Sequence, residues 1–218
     1  MRRASRLLHI SRATVDRKLS FLASRARLSH QNYLERLRQD ANKIAEFQFD
    51  EVETFEHSKL KPLSIAMVVT KERKILGFEV SSMPAKGHLT TKALEKYGPR
   101  PDRRWIGMNV LFQKLEDVFA PTVIARSDQN PHSPKVLRTH FPQATHITTP
   151  GIRGAIVGQG ELKKIPWDPI FSFNHTAAML RANINRLFRK TWCTTKRADK
   201  LRDHLYLYAE YHNVPLTS

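Results

Sequence analysis

The sequence predicts an α/β fold in which helices flank a mixed sheet and a helical segment precedes it. Three observations lead to this class. Apolar residues recur at helical spacing to about residue 44, five short stretches of strand composition occupy the middle of the chain, and the last third is helical again. A chain of 218 residues, 40% of them hydrophobic, is long enough for one domain with a full core and a small appendage.

The N-terminal segment, residues 1–44, predicts two short helices around a turn at residues 9–10, followed by a further helical stretch. Ser11 is a favourable N-cap, and apolar residues from Val15 to Leu22 follow it at helical spacing. The pair resembles the last two helices of a helix-turn-helix, whose second helix enters the major groove of DNA. We therefore expect a partial helix-turn-helix that contacts DNA through Arg12, Thr14, Arg17 and Lys18. A plain helical hairpin is the alternative.

Three strands come next. Phe47 and Phe49 alternate with polar residues, which predicts a strand that continues to about Phe55, and the apolar residues within 62–70 predict a buried second strand. A polar turn then precedes a third strand at 75–80. Short connections between three successive strands favour an antiparallel meander.

Helices and strands alternate in the rest of the chain. The expected elements are a helix at 91–96, an amphipathic helix from residue 108 that ends at Pro121, a strand at 122–125, a helix at 134–140 and a strand at 144–149. Apolar residues from Ile170 to Leu187 follow a 3-4-3-4-3 spacing, which predicts one long helix, and a final helix covers about 201–211. By analogy, this order predicts a ribonuclease-H-like domain over residues 45–218.

The charge balance favours a polyanionic partner. Lys and Arg total 37 against 20 Asp and Glu, which gives a net charge of +17. Composition leaves DNA, RNA and an anionic membrane surface as candidates, and a basic chain of this kind is most often a nucleic-acid binder. No apolar run reaches the ~18 residues of a membrane span. The single cysteine, Cys193, excludes a disulfide or a multi-cysteine zinc site within this chain.

Two aspartates carry the predicted chemistry. Asp50 and Asp128 lie at or near the first and fourth predicted strands, which are neighbours in a ribonuclease-H-like sheet. Carboxylates on adjacent strands can share two Mg²⁺ or Mn²⁺ ions about 3.5–4 Å apart, an arrangement suited to phosphodiester chemistry. Each aspartate taken alone is more often a strand-end cap or a turn former. The pair in this strand order favours the metal site.

A third ligand is expected near the start of the long C-terminal helix. Asn174 flanks the inward-facing stripe of that helix, and its amide oxygen is a neutral donor for Mg²⁺. Glu161, in a glycine-rich loop, is the alternative. Asp168 ranks third because Pro169 follows it, as at a helix start. Asn174 is also compatible with a simple capping role.

One face of the same helix is basic. Asn174, Ala178, Arg181, Asn185 and Arg189 recur every three or four residues, so one continuous helix places them together. Residues 181–197 contain no Asp or Glu. We therefore expect this face to bind DNA phosphates through Arg181, Asn185, Arg186, Arg189 and Lys190. An ordinary solvated charged face is the alternative.

Several segments resemble DDE-type transposases of bacterial insertion sequences. Residues 49–55 (FDEVETF) resemble the first catalytic strand of that family, and Asp128 followed by the Phe-Pro pair at 141–142 resembles the second. Residues 174–181 (NHTAAMLR), the basic residues up to 196 and the Tyr-His-Asn at 211–213 resemble its C-terminal helices. The resemblance covers most of the chain from Ser11 onward.

This resemblance implies a transposase with a ribonuclease-H-like core that uses Mg²⁺ (or Mn²⁺) to cleave DNA and transfer strands. Its partners would be double-stranded DNA, at element ends and targets, and further copies of the chain in a homo-oligomer on DNA. The implied location is the bacterial cytoplasm, associated with the nucleoid, with no membrane partner.

Two departures from the family pattern leave alternatives open. The third position of the family is usually Glu, whereas Asn174 stands there. A zinc-binding N-terminal segment and a complete helix-turn-helix, common in the family, are not found, so we expect an N-terminally truncated chain. The main alternative is a decayed, non-catalytic transposase that still binds DNA. A ribonuclease-H-type nuclease that acts on RNA–DNA hybrids is a third hypothesis.

Overall fold

The computed structural model of the chain describes residues 2–150, 168–187 and 194–214. The helices are α1 (Arg2–Leu7), α2 (Arg12–Gln39), α3 (Thr90–Tyr97), α4 (Arg104–Gln113), α5 (Ser133–His140), α6 (Phe171–Asn183) and α7 (Ala198–Asn213). The strands are β1 (Ile44–Phe55), β2 (Pro62–Thr70), β3 (Ile75–Ser82), β4 (Phe119–Asp128) and β5 (Thr145–Thr149). Short 3₁₀ helices cover Gly87–Leu89, Glu116–Val118 and Asn185–Leu187. Within these ranges, no helix combines the length and the apolar character needed to cross a bilayer.

The five strands form one mixed sheet in the order β3-β2-β1-β4-β5. β1 and β2, and β2 and β3, pair antiparallel, as expected for a meander. β4 pairs parallel with both β1 and β5. This order and these directions are those of the ribonuclease-H-like architecture, so the predicted fold class is confirmed.

Each face of the sheet has its own hydrophobic cluster. On β1, Phe47 and Phe49 point into the first cluster, which α4 and α5 cover, whereas Val52 points into the second, which α6 and α7 cover. Because side chains alternate along a strand, Asp50 shares the face of Val52 and Glu51 shares the face of Phe49. The two acidic neighbours therefore lie on opposite sides of the sheet.

The N-terminal helices differ in extent from the sequence prediction. α2 is one continuous helix of 28 residues, where two helical stretches were expected. Ser11 caps it as predicted, since its Oγ accepts the N–H of Thr14 at 3.0 Å. The second half of α2 buries Ala23 and Ala26 and inserts Leu34 into the first cluster. The partial helix-turn-helix and the division of the chain at residue 44 stay predictions.

β4 is longer than expected and contains Pro121, which was predicted to end a helix. The helix instead ends at Gln113, and β4 begins at Phe119. Ile44 of β1 pairs with Phe119 whereas Glu46 pairs with Ile124, so residues 120–123 bulge opposite a single residue of β1. A proline has no N–H to donate, and it is tolerated where the ladder is interrupted.

The long helix predicted from residue 170 to 187 is shorter in the structure. α6 ends at Asn183, and Ile184 adopts an extended conformation before the 3₁₀ turn Asn185–Leu187. Ile184 and Leu187 nevertheless remain in the second cluster. The apolar spacing is satisfied by a bend, which the sequence pattern does not distinguish from a continuing helix. The prediction of one continuous helix that carries both Asn174 and Asn185 is therefore wrong.

Candidate active site

Asp50 and Asp128 lie level with each other on neighbouring parallel strands. The pairing of β1 with β4 sets Gln48 opposite Arg126, and the two aspartates follow two residues later on their respective strands. Both therefore point to the face that α6 and α7 cover. The structure brings together the two carboxylates that the sequence singled out. Their catalytic role stays a prediction.

The electrostatics of Asp50 reflect this proximity. Burial, and next the negative charge of Asp128, raise the pKa of Asp50 to about 7, while the N–H of Glu51 and the charge of Arg181 act in the opposite direction. Carboxylate oxygens are the donors that Mg²⁺ and Mn²⁺ take. A divalent cation between the two groups would offset the repulsion that disfavours the charged form of Asp50. The residues present therefore fit such an ion.

Backbone N–H groups orient both carboxylates. The Glu51 N–H donates to Asp50 Oδ1 at 2.6 Å, and the Asn130 N–H donates to Asp128 Oδ1 at 3.0 Å. The second contact closes a turn immediately after β4, so Asp128 has the turn-forming role that its sequence context favours. A turn contact that holds one oxygen in place is compatible with ligation through the other.

The start of α6 is fixed to β1 beside the aspartate pair. The Gln48 side chain accepts the Phe173 N–H at 2.9 Å through Oε1, and its Nε2 lies 3.4 Å from the Pro169 carbonyl. Gln48 is buried and lies on the same face as Asp50, two residues away. These contacts anchor the N-terminal end of α6, where the third ligand was expected.

The structure describes two of the three candidates for the third ligand, Asn174 and Asp168. The Asn174 Nδ2 donates to Asp168 Oδ2 at 2.9 Å, and Asp168 Oδ1 accepts the Ile170 N–H, so these residues order the beginning of α6. Glu161 lies outside the described residues. In the described part of the chain, no group of three or more His, Cys, Asp or Glu side chains is arranged to hold a metal ion. Ligation by Asn174 stays a prediction.

The predicted phosphate-binding residues separate into different places. Arg181 on α6 is close enough to Asp50 to lower its pKa. Arg186 lies near His204 of α7, where its positive charge adds to burial in lowering the pKa of that histidine. Asn185 is exposed in the 3₁₀ turn. Arg189 and Lys190 lie outside the described residues.

The predicted DNA contacts at the N-terminus lie along the first turns of α2. Arg12 and Arg17 are exposed there. The Thr14 hydroxyl lies 2.9 Å from Ser11 Oγ, and Lys18 Nζ lies 5.5 Å from the centroid of the Phe21 ring. Their contact with DNA stays a prediction.

Glu51, Arg104 and Asn130 are neighbours of the aspartate pair that the sequence reading missed. Glu51 Oε2 lies 3.4 Å from Asn130 Nδ2 and 3.5 Å from Arg104 Nη1. A signal was present, because Glu51 continues the inward-facing alternation of Phe47 and Phe49. A carboxylate at a core-facing strand position is unusual and requires partners.

Comparisons with known proteins find a structural similarity but no sequence match. No protein-family model matches the chain, and a comparison with curated protein sequences finds no match. Among solved structures, the chain is similar to the catalytic domain of Mos1 mariner transposase, with 13% sequence identity over 88% of this chain and 88% of that chain. The TM-score of 0.35 is too low to establish a shared fold, so the fold assignment comes from the sheet order itself.

Proposed function

We propose that this chain is a DDE-type transposase that cleaves DNA and joins DNA strands with the help of divalent cations. The observation that carries the proposal is the placement of Asp50 and Asp128 level on the adjacent parallel strands β1 and β4, pointing to one face. The ribonuclease-H-like strand order and the net charge of +17 support the same reading. Membership of a bacterial insertion-sequence family is part of this proposal.

Each residue of the site has a distinct role in this proposal. Asp50 and Asp128 hold Mg²⁺ or Mn²⁺, and Asn174 completes the site through its amide oxygen. Divalent cations held there would supply Lewis-acid chemistry for the cleavage and joining of phosphodiester bonds. Arg181 holds a DNA phosphate beside the carboxylates, because a guanidinium donates two parallel hydrogen bonds to phosphate oxygens. The nucleophile is water for cleavage and a DNA 3′-hydroxyl for joining.

The test is a nicking assay on supercoiled plasmid DNA in Mg²⁺ or Mn²⁺. We expect Asp50→Asn and Asp128→Asn each to lower the nicking rate by at least about 100-fold, because each removes a charged ligand where the transition state needs cations. Glu53→Gln is the matched control. Glu53 lies on the same strand, and its exposed carboxylate pairs with Lys86 at the surface. Nicking by Asp50→Asn at the wild-type rate would contradict this mechanism.

A non-catalytic, transposase-derived DNA-binding protein is the second candidate. The observation that favours it is the Asn174 side chain, which donates to Asp168 where the family usually has a glutamate ligand. In this case wild-type protein would bind duplex DNA but show no binding of Mn²⁺ in the millimolar range by calorimetry. Mn²⁺ binding that Asp128→Asn abolishes would exclude this candidate.

The partners follow from the proposed reaction. Double-stranded DNA is the substrate, both at the ends to be cut and at the target to be joined. We also propose that the chain acts as a homo-oligomer, since two ends have to be joined to one target in a coordinated way. Analytical ultracentrifugation of the chain with and without a DNA duplex tests this, and a monomer in both conditions would contradict it.

A further inference from the structure

Asn130 is the centre of a group of hydrogen bonds just after β4. Its backbone N–H donates to Asp128 Oδ1 at 3.0 Å, and its side-chain Oδ1 accepts the His132 N–H at 3.0 Å before α5. Its carbonyl accepts the Ser133 N–H at 3.1 Å. Asn130 thus joins the end of β4 to the start of α5. Its Nδ2 points to Glu51 on the neighbouring strand, at 3.4 Å.

Glu51 on β1 is the partner of the Asn130 side chain in this group. Its side chain is only 9% exposed, and Arg104 Nη1 lies 3.5 Å from the same Oε2. Arg104 also makes a close pair with Asp102, through Nη2 and Oδ2 at 2.6 Å. Arg104 therefore has a carboxylate partner of its own, and Glu51 can serve Asn130. A buried carboxylate is costly to desolvate, so stability alone gives little reason for one here.

A second contact holds the backbone of the same strand end. The buried Ser127 Oγ donates to the Asp128 carbonyl at 2.7 Å and lies 2.9 Å from His146 Nε2 on β5. The strand end is therefore held from β5 as well as from β1. The Asp128 carboxylate itself, however, is reached only through Asn130 among the hydrogen bonds that the described residues make to it.

We infer that Glu51, acting through Asn130, is a positioning residue for the Asp128 carboxylate. Glu51 and Asp50 are consecutive on β1, so one strand would supply a ligand on one face and the support of the opposite ligand on the other. This role depends on the proposed function, because it concerns how a divalent cation is held. Groups that orient ligands in this way change metal affinity roughly 10- to 100-fold when removed.

The test is calorimetric titration of Mn²⁺ into the full chain, at a temperature where circular dichroism shows each variant folded. We expect Asn130→Ala and Glu51→Ala each to weaken Mn²⁺ binding roughly tenfold or more. The double variant should bind no more weakly than Asn130→Ala alone, because Glu51 acts only through the Asn130 side chain in this inference. Glu51→Gln keeps an oxygen that accepts from Asn130 Nδ2, so it should bind Mn²⁺ like the wild type.

Glu79→Ala is the matched control for loss of a partly buried carboxylate. Glu79 lies on β3 and pairs with Arg202 at 2.7 Å, and β2 separates its strand from β1 and β4. We expect this variant to lower the unfolding temperature but to keep the wild-type affinity for Mn²⁺. Such a result would separate loss of stability from loss of positioning.

The remaining outcomes distinguish failure of this inference from failure of the proposed function. Wild-type affinity in both Asn130→Ala and Glu51→Ala, with binding lost in Asp128→Asn, would overturn the positioning role alone. Weak binding in Glu51→Gln equal to that in Glu51→Ala would also overturn it, since a charge effect and not a hydrogen bond would then be responsible. Absence of Mn²⁺ binding by the wild type would overturn both proposals.

Discussion

His30 shows how one partly buried residue makes stability depend on pH. It lies on α2 beside Phe78 and Tyr206, with ring centroids 6.4 Å and 5.8 Å away. Burial, aided by the charge of Lys114 and opposed by a hydrogen bond to the Leu76 backbone, lowers its pKa from 6.5 to about 4. The folded protein therefore keeps His30 neutral under conditions in which the unfolded chain protonates it.

The sign of the effect follows from this difference. Between pH 6.5 and 4 the unfolded state binds a proton that the folded state does not, so acidification favours unfolding, by at most roughly 3 kcal/mol from this group. Burial also lowers the pKa of His204, so this histidine has an effect of the same sign. Denaturant unfolding of His30→Gln should thus show a smaller loss of stability from pH 6.5 to 4 than the wild type, because one of the groups that take up a proton on unfolding is gone.

A replacement at an exposed histidine provides the comparison. His88 is exposed in a 3₁₀ turn, and His88→Gln is the matched control for the loss of an imidazole at the surface. If His30→Gln lost as much free energy of unfolding between pH 6.5 and 4 as the wild type, the imidazole of His30 would have to be hydrated and accessible to protons in the folded state.

At the level of single residues, the sequence revealed the charged pair but not its supports. Asp50 was found because it follows Phe47 and Phe49 on a strand, and Asp128 because it follows an apolar strand. The contact of Asn130 with Glu51 joins residues that are distant in the chain, and it depends on the direction of a turn after β4. No local pattern carries that direction, so it required the structure.

Among the elements, α4 and β3 approach each other closely at Gly107. A Cβ at this position would collide with Ser81 Oγ and lie 3.4 Å from Ser81 Cβ. Gly107→Ala should therefore destabilise the protein by about 1–3 kcal/mol through overpacking, less the gain of up to about 1 kcal/mol that alanine gives within a helix. Denaturant unfolding measures the net effect.

The double-mutant cycle identifies the cause. In a Ser81→Ala background the nearest atom is gone, so Gly107→Ala should cost less there and approach neutrality. An equal cost in both backgrounds would show that the contact with the Ser81 hydroxyl is not the cause of the destabilisation.

Elements were predictable from the sequence where one pattern had one structural solution. β2 was found with its observed bounds because nearly all of its residues are buried. α2 was divided because Ala23 and Ala26, which form part of its buried face, are too small to produce a strong apolar signal. α6 was overextended, since Ile184 and Leu187 fit either a helix or a bend. Tertiary packing decided both cases.

For the molecule as a whole, the strand order was predictable because connection lengths restrict it. Short connections force β1, β2 and β3 into a meander, and the helices before β4 and β5 allow the parallel crossovers that place β4 beside β1. The position of α2 was not predictable, because its partner α7 lies at the other end of the chain. Arg27 of α2, for example, lies 5.0 Å from the centroid of the Tyr206 ring.

The net charge of +17 gives a prediction for the whole molecule. Binding to a duplex DNA of arbitrary sequence should weaken steeply with salt, because each phosphate contact releases condensed counterions. Fluorescence anisotropy over a series of NaCl concentrations gives the slope of log K against log salt. Arg181→Ala should make this slope shallower by about 1, and Arg12→Ala combined with Arg17→Ala by about 2, if each arginine contacts one phosphate.

Arg197→Ala is the control with the same loss of formal charge. Arg197 is exposed at the start of α7, where its guanidinium pairs with Asp199 at 2.6 Å. Its removal leaves the slope unchanged if DNA lies along the aspartate pair and the start of α2. An equal loss of slope for each arginine removed, in Arg197→Ala as in the other two variants, would mean that DNA responds to the total charge of the protein and not to these surfaces, because a long-range field does not distinguish one arginine from another.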